Sequence, residues 1–143
     1  MSRFVKFLSI AAALVMLALP SVANAAVVAK IDISSQRMNV FIDGELAYSW
    51  SISSGRKGFN TPRGSYRPTA LKRMHYSQKY DNSPMPHSIF FRGGFAIHGT
   101  GYVKQLGRPA SHGCIRLHPS NAATLFSLVK TYGAGNTRIV IQN

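Results

Sequence analysis

The chain contains one cysteine, Cys114, surrounded by the residue types that a thiol nucleophile requires. It lies in the segment Ser111-His112-Gly113-Cys114-Ile115-Arg116-Leu117. A second histidine, His98, stands 16 positions earlier, in the segment Ile97-His98-Gly99-Thr100. In such chemistry a thiolate attacks an electrophilic carbonyl, a histidine accepts or shares its proton, and glycine leaves room for substrate and backbone donors. The pattern predicts an enzyme with a cysteine nucleophile.

Two histidines compete for the role of the base. His112 is two positions from Cys114, and residues i and i+2 share one face of an extended segment. His98 must instead be brought to the thiol by strand pairing. A free thiol is only a few per cent ionised at neutral pH, and a nearby imidazolium is expected to lower its pKa. None of the four acidic residues lies near either segment, so a backbone carbonyl is expected to orient the base.

Two other interpretations of the cysteine stay open. A lone cysteine can be a buried and inert side chain, although an unpaired thiol in an exported protein is exposed to oxidation, which favours a functional role. Cysteine and histidine can also bind zinc, but the spacing matches no common zinc finger and no Cys-x-x-Cys pair is present. We therefore expect neither a metal nor a cofactor.

The first 25 residues have the pattern of a secretory signal peptide. Arg3 and Lys6 precede a mostly apolar stretch from Phe7 to Leu19, and Ala23-Asn24-Ala25 resembles a cleavage site. The alternative is a membrane anchor, but the stretch is shorter than the roughly 20 residues that span a bilayer. We expect cleavage after residue 25, an exported domain over residues 26–143 without an integral membrane segment, and a location in the periplasm or cell envelope.

Positive charge dominates the expected mature chain, which has 15 basic residues and four acids. Such a chain is attracted to polyanions. Export argues against nucleic acid as the partner and favours anionic envelope polymers or lipid head groups. A simpler alternative is that the charge only aids solubility. The length suits one domain with one modest core.

Strands account for most of the predicted structure. We expect a strand at 27–33, a hairpin turning at Asp43-Gly44, an edge or bulged strand at 64–71 limited by Pro68, and a hairpin turning at Gly93-Gly94. His98 would then lie at a strand end, where a rigid element holds a reactive side chain. The polar stretch 72–87 shows no clear period and is expected to be a binding loop or lid.

One helix is predicted near the C-terminus. Pro119 and Ser120 are start signals, and Gly133 is a plausible end. Between them an apolar stripe follows helical spacing, formed by Ala122, Leu125, Phe126 and Val129. A last strand is expected at 137–141. Many strands and one clear helix predict a mainly β domain.

The two segments together resemble the signature of bacterial L,D-transpeptidases with a YkuD-type catalytic domain. The upstream segment Asn60-Thr61-Pro62-Arg63-Gly64-Ser65-Tyr66 is similar to another segment of that family. The resemblance runs from about Val27 to the end of the chain. It implies a YkuD-like β-sandwich of mixed sheets.

The resemblance also implies a reaction and residue roles. Cys114 would attack the third residue of a peptidoglycan stem tetrapeptide, release D-alanine, and pass the acyl group from a thioester to an amine, forming a 3→3 cross-link. His98 would be the base and the Gly99 carbonyl its orienting group. Amides of Gly113 and Cys114 would bind the oxyanion. Three further residues would shape the site and hold the substrate: Ser111, His112 and Arg116.

Several alternatives remain within this resemblance. Water as the acceptor would make the protein an L,D-carboxypeptidase, and an amine of an envelope protein would make it a wall-attachment enzyme. A basic wall-binding module without turnover is an alternative of a different class. Carbapenem β-lactams are expected inhibitors. His118, before Pro119, is expected to be structural, whereas lid and surface roles are equally compatible with four other residues: His75, Tyr76, Tyr80 and His87.

Overall fold

The computed structural model describes residues 25–143. All but the last residue of the predicted signal peptide lies outside the described residues. The described part holds nine strands and one α-helix. In chain order these are β1 (Val27–Asp32), β2 (Arg37–Ile42), β3 (Glu45–Ser51), β4 (Gly64–Tyr66), β5 (Ala70–Ser77), β6 (Ser83–Arg92), β7 (Phe95–Gly99), β8 (Ile115–Leu117), α1 (Pro119–Tyr132) and β9 (Thr137–Gln142).

The strands form two mixed sheets. The first has the order β3-β2-β1-β9-β4, with β1 and β9 parallel and the other neighbours antiparallel. The second has the order β5-β6-β7-β8, with only β7 and β8 parallel. The predicted fold class, mainly β with mixed sheets and one clear helix near the C-terminus, is confirmed.

Local sequence signals explain most element boundaries. Asp43 and Gly44 both have positive φ, 49° and 82°, which is the geometry of the tight turn predicted between β2 and β3. Helix α1 starts at Pro119, and the His118 ring accepts a hydrogen bond from the Ser120 N–H at 3.2 Å. Gly133, with φ of 91°, ends the helix as predicted. Pro68 separates β4 from β5, where the chain leaves one sheet for the other.

The prediction of a loop or lid over residues 72–87 was wrong as to secondary structure. Strands β5 and β6 pair as a long antiparallel hairpin across most of this stretch. The irregularity lies at His87, whose φ of 52° interrupts the normal alternation within β6. Pro84 and Pro86 further disguise the strand, because proline is rare within sheets.

The main hydrophobic core joins both sheets to the helix. Its members include Ala29 and Ile31 of β1, Ile97 of β7, Ile115 of β8, and the predicted apolar stripe of α1. A smaller cluster lies on the other face of the four-stranded sheet. It contains Met85, Phe90 and Ala96, with Cys114 packed against them.

Candidate functional site

Strand pairing places His98 and Cys114 on the same face of neighbouring strands. In the parallel pair, Ile97 lies opposite Ile115 and His98 opposite Arg116. Cys114 immediately precedes β8 and therefore falls alongside Ala96. Because side chains alternate along a strand and adjacent strands lie about 4.8 Å apart, His98 and Cys114 are diagonal neighbours on the face opposite the main core. The strand pairing needed to bring His98 towards Cys114 is thus present between β7 and β8.

The Cys114 thiol is partly buried and lies near two backbone groups, the Gly94 carbonyl and the Ala96 N–H. Its Sγ lies 3.8 Å from the carbonyl oxygen of Gly94. Burial raises the thiol pKa, and this effect outweighs the opposing influences of the Ala96 N–H and the positive charge of Arg116. The sequence suggested a pKa lowered by an imidazolium. The structure gives the opposite direction, because the environment disfavours the thiolate in the absence of substrate.

His98 is held as a neutral base. Its side chain is buried, and Nδ1 lies 2.7 Å from the carbonyl oxygen of Gly99. A carbonyl can only accept, so Nδ1 carries the proton and Nε2 keeps its lone pair. Burial lowers the pKa of His98 to about 4; the Gly99 carbonyl opposes this shift, and the positive charge of Arg116 adds to it. Gly99 is the residue whose carbonyl the resemblance implied as the orienting group.

The turn before Cys114 is closed by the side chain of Ser111. The Ser111 hydroxyl donates to the Cys114 carbonyl at 2.6 Å and accepts from the Gly113 N–H at 3.0 Å. The Gly113 N–H is therefore already engaged, although the resemblance implied that it binds an oxyanion. The hydrogen bonds found within residues 25–143 include none donated by the Cys114 N–H. Of the two amides, that of Cys114 is the one left available to a further acceptor.

Gly113 is required at its position for two reasons. Its φ is +119°, a conformation that side chains with a Cβ rarely adopt. A Cβ there would also lie 2.7 Å from the Phe95 ring. The turn that presents Cys114 thus depends on a missing side chain.

Thr61 connects this turn to the loop after β3, a role that sequence reasoning missed. Its buried hydroxyl donates to the Gly113 carbonyl at 2.8 Å and accepts from the Gly55 N–H at 2.9 Å. The only signal in the sequence was the Thr-Pro pair in the segment at 60–66. Neither the hydroxyl's partner nor its burial can be read from that pair.

The tip of the β5–β6 hairpin closes on His112. The Tyr80 ring stacks on the His112 ring with centroids 4.0 Å apart and an angle of 7° between planes. Phe59 meets the same imidazole edge-on at 4.9 Å. Burial, followed by the nearby charge of Arg56, lowers the pKa of His112. Tyr80, whose position the sequence left undecided, therefore lies beside the candidate site.

The other undecided residues take different positions. His75 contacts Phe90, a member of the cluster against which Cys114 packs, with ring centroids 5.1 Å apart. Tyr76 is exposed. His87 packs against Phe126 of α1 and so belongs to the opposite face of the sheet.

The Arg116 side chain contacts the loop between β7 and β8. Its guanidinium donates to the Gln105 side chain at 3.0 Å and to the Ala110 carbonyl at 3.4 Å. It also lies 5.7 Å from the centre of the Tyr102 ring. These contacts stabilise the loop between β7 and β8, so a substrate carboxylate would have to share or displace them.

Comparison with known families settles the relationship of this chain. The sequence matches the family described as YkuD, L,D-transpeptidase catalytic domain, over residues 26–141. The chain belongs to this family. Among curated proteins, no sequence matches it significantly.

Solved L,D-transpeptidases share its fold. An L,D-transpeptidase from Mycobacterium smegmatis is 26% identical, with a TM-score of 0.74 over 83% of this chain and 59% of that one. One from Xylanimonas cellulosilytica is 27% identical, with a TM-score of 0.69 over 84% and 62%. L,D-transpeptidase 3 from Mycobacterium tuberculosis, in complex with a faropenem-derived adduct, is 23% identical, with a TM-score of 0.70 over 82% and 60%. The chain thus spans about 60% of the length of these proteins.

Within residues 25–143, no three His, Cys, Asp or Glu side chains are grouped so that they could hold a metal ion. Over the same residues, no helix has the length and apolar character needed to cross a bilayer.

Proposed function

We propose that this chain is a peptidoglycan L,D-transpeptidase with Cys114 as nucleophile and His98 as base. The observation that carries the proposal is the placement of a thiol and a carbonyl-anchored neutral imidazole on one face of paired strands. Family membership supports the reaction class. Burial disfavours both a thiolate at Cys114 and an imidazolium at His98, which favours proton transfer during the attack.

The reaction would proceed in two acyl-transfer steps. As Cys114 Sγ bonds to the carbonyl carbon of the third stem residue, Nε2 of His98 takes the thiol proton. The tetrahedral intermediate collapses, the C–N bond to D-alanine breaks, and the imidazolium returns the proton to the leaving amine. An acceptor amine then attacks the thioester and loses its proton to His98. The Cys114 sulfur leaves and is reprotonated.

The surrounding residues support these steps. The Cys114 N–H is the proposed donor to the oxyanion, and Ser111 and Thr61 hold the turn that aims it. His112, covered by Tyr80, shapes the entrance for the donor peptide. Arg116 is proposed to hold the substrate backbone or a carboxylate next to the loop that it stabilises.

The acceptor distinguishes three activities with the same first step. An amine of a second stem peptide gives 3→3 cross-links, water gives carboxypeptidase activity, and an amine of an envelope protein gives wall attachment. The cross-linking activity is the leading proposal. We further propose that residues 1–25 direct export and are removed, so that the domain works in the periplasm or cell envelope.

Intact-protein mass after exposure to imipenem tests the nucleophile. One of the matched L,D-transpeptidases carries a faropenem-derived adduct, which makes β-lactams suitable probes. We expect a single adduct on the wild-type protein and none on Cys114→Ala. Incubating purified sacculi with the protein should then yield 3→3 cross-links, or trimmed or protein-linked stems for the other acceptors.

A folded wild-type protein with a reduced thiol and no adduct would contradict the nucleophile assignment. The non-catalytic wall-binding alternative makes a separate prediction. It requires that Cys114→Ala leave both sacculus binding and sacculus composition unchanged, whereas the enzyme proposal requires loss of product with binding retained.

A further inference from the structure

A shallow groove lies between α1 and the β5–β6 hairpin, away from the thiol. Its cavity volume is about 370 Å³. The lining residues are Arg73, His87, Ala123, Phe126, Ser127, Lys130 and Thr131. Phe126 belongs to the main core, whereas Cys114 packs on the opposite face of the four-stranded sheet. The groove is therefore a surface separate from the proposed active site.

Two cationic side chains and an imidazole line the groove without an acidic counterpart. Arg73 comes from β5 and Lys130 from the last turn of α1, and the His87 imidazole lies between these elements. No Asp or Glu is among the lining residues. The four acids of the chain lie elsewhere: Asp32 at the end of β1, Asp43 and Glu45 at the β2–β3 turn, and Asp81 at the hairpin tip. The local charge is therefore not neutralised within the groove.

The Phe126 ring lies close to two of these side chains, His87 and Lys130. The His87 ring meets the Phe126 ring edge-on at 5.3 Å, and Lys130 Nζ lies 6.0 Å from the centre of the same ring. His87 keeps a φ of 52° in the middle of β6. A left-handed conformation is unfavourable for a non-glycine residue, and such conformations cluster at functional positions.

Two hydroxyls complete the donor set. Ser127 and Thr131 are exposed and four residues apart on α1, so they lie on the same face of the helix as neighbours. The groove thus combines a guanidinium fork, an ammonium, an imidazole and two hydroxyls. A carboxylate has only two oxygens to receive these donors, whereas a phosphate group offers more acceptor positions in a tetrahedral arrangement.

We propose that this groove binds a phosphate group of an anionic envelope component. Phosphates in soluble polymers and in lipid headgroups share the chemistry that Arg73, Lys130 and the α1 hydroxyls recognise. Occupancy there would hold the domain on its surroundings through the side of the sheet opposite Cys114, leaving the thiol face free.

Binding of two probes by the complete protein tests this proposal. One probe is a fluorescently labelled soluble glycerol phosphate oligomer, followed by anisotropy. The other is a vesicle of phosphatidylglycerol and phosphatidylcholine, followed by co-sedimentation. The groove variant combines Arg73→Ala with Lys130→Ala. The matched control, Lys30→Ala with Arg138→Ala, removes the same charge from the five-stranded sheet.

We expect the groove variant to weaken binding of the oligomer about tenfold and the control about twofold, because local donors add to general attraction. A variant with unchanged charge, Ser127→Ala with Thr131→Val, should weaken it about threefold. If the groove variant loses more binding than the control with both probes, the groove recognises phosphate in general. If it does so with vesicles alone, the groove recognises a lipid headgroup. Both outcomes support the proposal. Equal losses in the groove and control variants, or no binding of either probe by the wild type, would overturn it.

The fold and the proposed active site are monitored separately. All variants should keep the wild-type thermal midpoint and the imipenem adduct on Cys114. If the adduct fails to form on any protein while the groove remains selective, the proposed enzymatic function fails and the phosphate site stands.

Discussion

The thiol and the imidazole of the proposed site are both driven towards their neutral forms. Burial raises the pKa of Cys114 and lowers that of His98. A resting thiolate–imidazolium pair would have required the opposite directions. His98 therefore serves best as a base that removes the proton during the attack. This assignment makes the acid limit of the reaction depend on His98.

The rate of Cys114 acylation by imipenem should follow the ionisation of His98 at low pH. The base is active when neutral, and its pKa lies at about 4, so acylation should stay near its maximum at pH 6 and decline as the pH falls through about 4. Stopped-flow measurement of the rate constant between pH 3.5 and pH 8 checks this. A decline centred near 6.5 would indicate an imidazole that is not desolvated.

Alkylation by iodoacetamide provides the control for the thiol itself. Because burial raises the Cys114 pKa, its alkylation midpoint should lie above that of free cysteine. In His98→Gln the midpoint should remain high while acylation slows by about 10²–10⁴-fold, the usual contribution of a general base. If His98→Gln moved the midpoint upwards sharply, an imidazolium would be stabilising the thiolate after all.

The sequence predicted which residues form the candidate site better than it predicted their geometry. The lone Cys114, the two histidine segments and the need for strand pairing were all visible in the sequence. The engagement of the Gly113 N–H by Ser111 was not, because a hydroxyl's partner depends on turn geometry. The direction of the thiol pKa was also missed, since burial of Cys114 follows from packing against Met85, Phe90 and Ala96.

At the scale of elements, turn and cap residues predicted the boundaries of two hairpins and the helix. Asp43-Gly44, Gly93-Gly94, Pro119 and Gly133 all mark observed ends of elements. The β5–β6 hairpin was missed because the positive φ of His87 breaks the alternation on which strand prediction depends. This hairpin contributes to both surfaces discussed above. It brings Tyr80 to His112 on one side and Arg73 to α1 on the other.

Thr61 joins the loop after β3 to the turn before β8, so its loss should loosen the nucleophile. In Thr61→Val the Gly55 N–H and the Gly113 carbonyl lose a buried partner, and stability should fall by about 1–3 kcal/mol. Because Gly113 adjoins Cys114, acylation by imipenem should slow by about tenfold or more. Thr61→Ser keeps the hydroxyl and should restore the rate.

Denaturant unfolding and acylation kinetics separate the two effects in Thr61→Val. A loss of stability with a wild-type acylation rate would show that Thr61 is only structural. A slow rate that Thr61→Ser does not restore would contradict the role of the hydroxyl.

For the whole molecule, the charge composition bears on how stability depends on pH. The chain carries 17 basic and four acidic residues, so few carboxylates can link folding to pH. Asp32 has a lowered pKa, chiefly through hydrogen bonds from Ser34 and Ser35, and its contribution to stability is lost only as the pH falls through that low value. The charge composition does not reveal that His98 is buried. Its burial nevertheless changes the free energy of unfolding, and does so at a higher pH than Asp32.

The free energy of unfolding should decrease between about pH 6.5 and pH 4 because of His98. Its pKa is about 4 in the folded chain and near 6.5 when unfolded, so the unfolded state binds more protons across this range. The full shift corresponds to about 3 kcal/mol. Urea unfolding at pH 7 and pH 4.5 should reveal most of that loss in the wild type. His98→Gln should lose most of the dependence and keep a smaller part from His112, whose pKa is also lowered. His118→Asn, which removes an exposed imidazole at the start of α1, should keep the full dependence. A pH dependence as large in His98→Gln as in the wild type would show that the buried imidazole does not determine the acid stability of this domain.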